Sequence, residues 1–197
     1  MNIPPQAVLQ GKLEIEKIAE EKKKRLNLSE VRFEFLAIID ELDVQDSAIV
    51  STSPRGVALE LDGDLCFSSG GVNMKPKLRI FLDESINRIM TAENDLRPIT
   101  VEGHTDSDWY SSGKLAKFYP TNWELSSARA SEVVKYLILK GVNSGRLRAS
   151  GFADQWPAGV TWKKMRSGTI TSDVIAELNS TVELKQKNRR IKIIIDP

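Results

Sequence analysis

His104 and Asp106 stand two residues apart, with Ser107, Ser111 and Ser126 in the neighbouring sequence. Residues i and i+2 of a strand project to the same side, so a hydrolytic Ser/His/Asp site or a His-x-Asp metal site is conceivable. Counting argues against both. His104 is the only histidine and Cys66 the only cysteine among 197 residues, whereas a hydrolytic zinc site wants about three protein ligands, usually with more than one His. There is no Gly-x-Ser-x-Gly elbow and no glycine loop that would cradle phosphate. The chain therefore reads as a non-enzyme without metal or cofactor, and His104 as a hydrogen-bonded structural imidazole. A metal-dependent hydrolase centred on His104 and Asp106 is the alternative that metal analysis would test.

Binding chemistry is better supported. Asp106 lies just past a strand end, Arg129 falls about two turns into the following helix, and Asn188-Arg189-Arg190 leads into the last strand. Were the strands neighbours in one sheet, these groups would meet at one edge of the domain. A carboxylate beside a guanidinium suits a zwitterionic ligand, with an ammonium on Asp106 and a carboxylate on Arg129. From spacing alone an internal Asp106–Arg129 salt bridge is the favoured reading.

The elements that position these groups follow from periodicity. Gln6 to Ser53 contains no proline, only Gly11, and many Glu, Lys, Leu and Ile residues, so it reads as one long helix or two. Leu28, Val31, Phe35, Ile38 and Leu42 follow a 3-4-3-4 spacing, which suits a helix packed on its own domain better than a two-heptad dimer seam. After Pro54 the pattern alternates through Val57, Leu59 and Leu61, a half-buried strand ending at Asp62-Gly63. Cys66 reads as a small core residue. Pro76 opens a helix with Leu78, Leu82, Ile86 and Ile89 on one face. Ile99-Thr100-Val101 starts a second strand. A polar, aromatic loop from Ser107 to Pro120 precedes a helix whose Thr121 and Glu124 form a capping box. Leu125, Ala128, Val133 and Leu137 face inward along it, and Gly141 ends it. Leu147 to Phe152 is a third strand; a long region from Ala153 to Lys187 holds one helical patch at Ser172 to Leu178; Ile191, Ile193 and Ile195 alternate in a final strand. Helix, strand, helix, strand, helix, strand, long loop, strand is the order of an α/β sandwich with helices on one sheet face.

Composition sets the limits. With 28 Lys+Arg against 27 Asp+Glu the formal net charge is +1, which offers no clustered cationic surface for nucleic acid or an anionic membrane. No window approaches the ~18 apolar residues of a membrane span.

Several motifs in fixed order carry a resemblance. Gly103-His104-Thr105-Asp106, then Asn122-x-x-Leu125-Ser126-x-x-Arg129-Ala130-x-x-Val133-x-x-x-Leu137, Gly141, Gly151-Phe152-Ala153 and Asn188-Arg189-Arg190-Ile191 resemble the OmpA-like peptidoglycan-binding domain; Phe67-Ser68-Ser69-Gly70 is similar to that family's first-strand exit. The likeness covers about two thirds of the chain. It implies a mixed sheet with helices on one face, spanning 48–197, preceded by an N-terminal helical linker at 1–47. It implies that Asp106 and Arg129 grip the diaminopimelate of the cell-wall stem peptide, and that Thr105, Asn122, Leu125, Asn188 and Arg189 line or brace the pocket; Arg190, next to a strand, reads as a surface charge. The loop from Asp106 to Asn122 is longer than in short family members, and its Trp109, Tyr110, Phe118 and Tyr119 either pack over the binding edge, the favoured reading, or extend it. Tyr119-Pro120-Thr121-Asn122-Trp123-Glu124-Leu125-Ser126 is similar to the MotB-like branch, the B subunits of ion-driven stators. That branch implies a periplasmic domain of an inner-membrane protein, a homodimer, peptidoglycan as ligand, no nucleic acid, and a membrane-embedded A subunit engaged through an upstream transmembrane helix. A flagellar stator and the stator-like unit of the Zorya antiphage system both fit, and an outer-membrane or lipoprotein-type wall anchor without a motor is the alternative.

Overall fold

The structure is a computed structural model and describes residues 25–68, 71–92, 94–108 and 114–197. Among the described residues five strands form one mixed sheet: β1 (Ala48–Ser53), β2 (Gly56–Asp62), β3 (Ile99–His104), β4 (Leu147–Gly151) and β5 (Arg190–Ile195), in the order β1-β2-β5-β3-β4. All pairings are antiparallel except β3 with β4. Period-two alternation sends Val57, Leu59, Leu61, Ile99, Val101, Ile191, Ile193 and Ile195 to one face, where they join the hydrophobic core.

Three helices cover that face: α1 (Leu28–Glu41), α3 (Pro76–Ser85) and α5 (Asn122–Leu139); a helical turn, α2 (Gly63–Cys66), follows β2. The mixed sheet with helices on one side expected from the sequence is present. α1 begins with a capping box in which Asn27 accepts from the N–H of Ser29 and Glu30 while Glu30 accepts from Asn27. Its Val31, Phe35 and Ile38 are fully buried in the same core as the strands, so the 3-4 seam faces its own domain. α1 was expected to be part of a linker at 1–47; it shares one core with 48–197, and residues 1–24 lie outside the described residues.

Two elements differ from the sequence reading. The helical segment expected to reach Ser53 stops at Glu41, and Ala48–Ser53 is a strand in a hairpin with β2. Freedom from Pro and Gly made this stretch look helical, yet Ile49, Val50 and Thr52 are β-branched. Asp43, at φ 51°, takes the left-handed conformation that ends the helix. Second, the region from Ala153 to Lys187 folds into α6 (Trp162–Arg166), α7 (Ser172–Glu177) and α8 (Val182–Asn188). Thr161, Thr171 and Thr181 cap them, each hydroxyl accepting from the backbone N–H three residues on. A further helix, α4 (Lys114–Phe118), lies in the loop before α5.

Candidate functional site

Close backbone approach builds the site. A Cβ on Gly103, in β3, would lie 2.1 Å from the Ser126 carbonyl oxygen, and one on Gly151, in β4, 2.2 Å from Ser127 Oγ. Only glycine lets the first turns of α5 press onto these strand ends. That contact sets Leu125 and Arg129 of α5 beside Thr105 and Asp106, which leave β3. The helix start is fixed by the expected capping box, with Trp123 N–H donating to Thr121 Oγ1 at 3.2 Å and Thr121 N–H to Glu124 Oε2 at 2.9 Å.

A cavity of about 190 Å³ opens at this junction, lined among others by Asp64, Phe67, Thr105, Asp106, Asn122, Leu125, Arg129 and Arg189. Asp106 and Arg129, on its wall, are each only 6% exposed. The Arg129 guanidinium stacks 5.2 Å over the Phe67 ring, and its Nε donates to the Gly71 carbonyl at 3.0 Å. Asp106 Oδ2 accepts from Arg189 Nη1 at 2.6 Å, and Oδ1 accepts from the Asp108 N–H at 3.1 Å. The carboxylate expected to face Arg129 is thus held by Arg189. Burial works against the Arg189 charge, but the Asp106 and Asp64 carboxylates override it and raise its pKa.

The other expected site residues divide into lining and bracing groups. Asn122 does both: its Nδ2 donates to the carbonyls of Asp106 at 3.0 Å and Asp108 at 3.2 Å, fastening the β3 exit loop to the helix start. Thr105 lines the cavity, and its buried Oγ1 has no hydrogen-bond partner among the described residues. Leu125 supplies apolar wall at 4% exposure. Asn188 is outside the cavity lining. It accepts from the Ala158 N–H and donates to the Leu178 carbonyl and Asn179 Oδ1, tying the α6–α8 region to β5. Asp64, Phe67 and Asp108 line the cavity without having been singled out for it; Asp64 follows the Asp62-Gly63 turn and Asp108 the Asp106 strand exit, so proximity to those turns was the available signal. Trp109 and Tyr110 lie outside the described residues. Phe118, expected to pack, is 74% exposed.

His104 faces the opposite side of the sheet. It stacks on Phe152 at 5.3 Å and meets the edge of Trp156 at 6.3 Å. Burial drives its pKa down to about 4, against the pull of Glu102, whose Oε2 is 3.6 Å from Nε2. A neutral imidazole between aromatic rings is placed for packing. No group of three or more His, Cys, Asp or Glu that could hold a metal ion exists among the described residues. Cys66 is fully buried in the core, which pushes its thiol pKa up. No helix among the described residues is long and apolar enough to cross a membrane.

Residues 66–169 match the OmpA family. Uncharacterized protein YtxE of Bacillus subtilis is 34% identical over 142 residues, covering 72% of this chain and 48% of that protein. Motility protein B of Escherichia coli K12 is 29% identical over 157 residues, covering 73% and 48%. The chain spans about half the length of these curated relatives. Its fold is similar to that of a MotB-like protein from Desulfovibrio vulgaris, with a TM-score of 0.65 at 19% identity over 86% of this chain and 93% of that one.

Proposed function

The chain belongs to the OmpA family, and from that premise we propose that it is a non-catalytic peptidoglycan-binding domain anchoring a MotB-like stator unit to the cell wall. Asp106 receives the ammonium and Arg129 the carboxylate of a diaminopimelate in the stem peptide. The observation that carries this reading is a carboxylate and a guanidinium, each 6% exposed, on the wall of one small cavity. Burial in low dielectric strengthens each charge-assisted contact with a ligand. A cavity of about 190 Å³ admits the end of an amino-acid side chain, not a folded partner. The buried Thr105 hydroxyl adds a polar group at the same wall.

In the whole protein the domain acts in the periplasm as a homodimer, and a membrane helix joins it to an A subunit of the ion channel. A flagellar motor and a Zorya-type defence complex share this wall-anchoring step. The test is co-sedimentation with purified peptidoglycan. Losing one partner of a buried, charge-assisted contact costs about 2–5 kcal/mol, so Asp106→Ala and Arg129→Ala each abolish pull-down while circular dichroism shows the fold intact. Native-like pull-down by both variants overturns the proposal.

A further inference from the structure

The far face of the sheet carries an opening of its own. Two cavities of about 310 and 430 Å³ share Glu60, Gly159 and Arg190 as wall and so form one groove. Ile49, Ser51 and Ser53, alternate residues of the edge strand β1, line one bank over about 13 Å of strand. Residues 158–162, which lead into α6, line the other.

The two ends of this groove differ in charge. At the end near Trp162, Arg55, Arg190 and Lys192 of the lining face Glu60, with Glu102 taking Arg55 from beneath. Three cations there meet two carboxylates. Arg166 adds a fourth: it lies one helical turn on from Trp162, its guanidinium 5.5 Å from that ring, and no carboxylate pairs with it among the described residues. Lys163 and Lys164, both exposed, extend the same sign around α6. The formal charge of +1 for the whole chain hides this local excess. At the other end Asp46 and Asp62 stand against Lys187, beside the apolar Ile49, Leu178 and Leu184. A ligand that suits both ends therefore carries its negative charge at one end only.

The neutral groups narrow the class. Trp162 is 45% exposed, although Arg55 sits 5.0 Å and Trp156 5.3 Å from its ring, so a held indole borders the groove. Across from it the Ser51 and Ser53 hydroxyls can donate and accept. An apolar ring facing hydroxyls matches a sugar, which presents C–H faces and hydroxyl edges. Single-stranded nucleic acid would set its repeated phosphates against Asp46 and Asp62. It also stacks on successive aromatic platforms, whereas Trp156, the other tryptophan of the lining, is only 5% exposed.

We propose that this groove is a second binding site, for a saccharide whose terminal unit bears a carboxylate or a phosphate. The acid meets Arg166 and Lys192 beside Trp162, and the neutral units lie over Ser51 toward Ile49. None of these residues belongs to the strand-end cavity, so the site stands or falls apart from the wall-peptide reading.

Three glucose disaccharides test the site by titration of the full chain at pH 7: one neutral, one ending in glucuronic acid and one ending in glucose 6-phosphate. Tryptophan fluorescence and the indole N–H signals in NMR spectra follow binding. A charge-assisted contact corresponds to about tenfold or more in affinity, so at least one acidic disaccharide binds tighter than the neutral one by about that factor. The acid preferred tells a uronic-acid glycan from a phosphorylated one. Arg166→Gln brings the ratio below about threefold, and Trp162→Ala weakens the acidic disaccharides, while circular dichroism shows both variants folded. Arg148→Gln removes the same charge from the opposite sheet edge, where the side chain is 65% exposed, and keeps the native ratio. Equal binding of acidic and neutral disaccharides, saturation by none of the three, or a native ratio in Arg166→Gln overturns the inference. Tighter binding of a thymidine dinucleotide than of either acidic disaccharide also overturns it and assigns the groove to nucleic acid.

Discussion

Arg189 and Arg190 are adjacent in sequence and serve opposite sides of the sheet. Arg189 reaches the cavity and keeps 29% of its side chain exposed. Arg190, expected to be a surface charge, is 6% exposed and closes a ladder on the far face. Its Nε donates to Glu60 Oε2 at 3.1 Å, Nη1 to the Asn188 carbonyl at 3.2 Å and Nη2 to the Trp156 carbonyl at 3.1 Å. In register, Glu60, Lys192 and Glu102 line up across β2, β5 and β3, so opposite charges alternate between strands. Arg55 completes the row, donating to Glu102 at 2.5 Å, and stacks on Trp162 at 5.0 Å. On the far face each charge is consumed by a neighbour under an aromatic cover. At the strand ends the same residue types surround an open cavity. Glu60 and Arg190 border cavities as well, so neither buried charge nor adjoining space identifies a site by itself; what sets the strand-end cavity apart is that its Asp106 and Arg129 lie within the stretch that matches the OmpA family, whereas Glu60 and Arg190 lie outside it.

Breaking the far-face ladder gives the largest stability change. Arg190→Ala removes three hydrogen bonds and leaves the partly buried Glu60 with Lys192 alone, and breaking a buried pair costs about 3–5 kcal/mol. Urea unfolding reports this as a lower midpoint at unchanged slope. Arg189→Ala removes one charge-assisted bond from the buried Asp106, which keeps the Asp108 N–H and faces the cavity, and costs less, about 1–3 kcal/mol. If the two variants unfold alike, the contrast between a structural and a binding charge is lost.

His104 sharpens the same contrast through pH. Its folded pKa of about 4 lies below the ordinary value of 6.5 because burial disfavours the imidazolium. The unfolded chain binds the extra proton first on acidification, so the stabilising contribution is complete above about pH 6.5 and falls away down to about pH 4. The shift corresponds to at most about 3 kcal/mol. Glu102, with a pKa that His104 and Arg55 hold down against burial, adds a loss of the same sign that begins as the pH falls below its ordinary value of 4.5. His104→Phe keeps a ring against Phe152 and flattens the dependence between pH 6.5 and 4; thermal unfolding at several pH values checks it. An equally steep dependence in the variant would assign the acid sensitivity to other groups.

What could be read in advance follows the range of the interaction. The capping box at Thr121 and Glu124, the proline start of α3 and the alternation in β5 are local patterns, and each is present. The family resemblance found the Asp106 and Arg129 positions because motif spacing preserves them. The partner of Asp106 was missed: 83 residues separate it from Arg189, and only the placement of β5 beside β3 joins them. β1 was missed because absence of helix breakers was read as helix, when its stability comes from pairing with β2. Of the three short helices after Ala153, α7 is the patch expected at Ser172 to Leu178; α6 and α8 had a local signal in Thr161 and Thr181, but threonine is common in loops, and the hydrophobic period that singles out a helix is short there.

The smallest expected effect concerns the frame of the pocket. Thr121 caps α5, and the next residue, Asn122, fastens the Asp106 and Asp108 carbonyls to that helix start. Thr121→Ala leaves a terminal N–H without its acceptor and costs about 1 kcal/mol. The same loosening reaches the ligand only through Asn122, so the loss in wall affinity is bounded by the cap's own free energy, about fivefold. Thr121→Ser restores the acceptor and both properties. Chemical denaturation and peptide titration of the same variants check the bound. A drop well beyond fivefold at unchanged stability would mean that the first turn of α5 touches the ligand directly, and the pocket would then extend past Asn122 toward the loop before it.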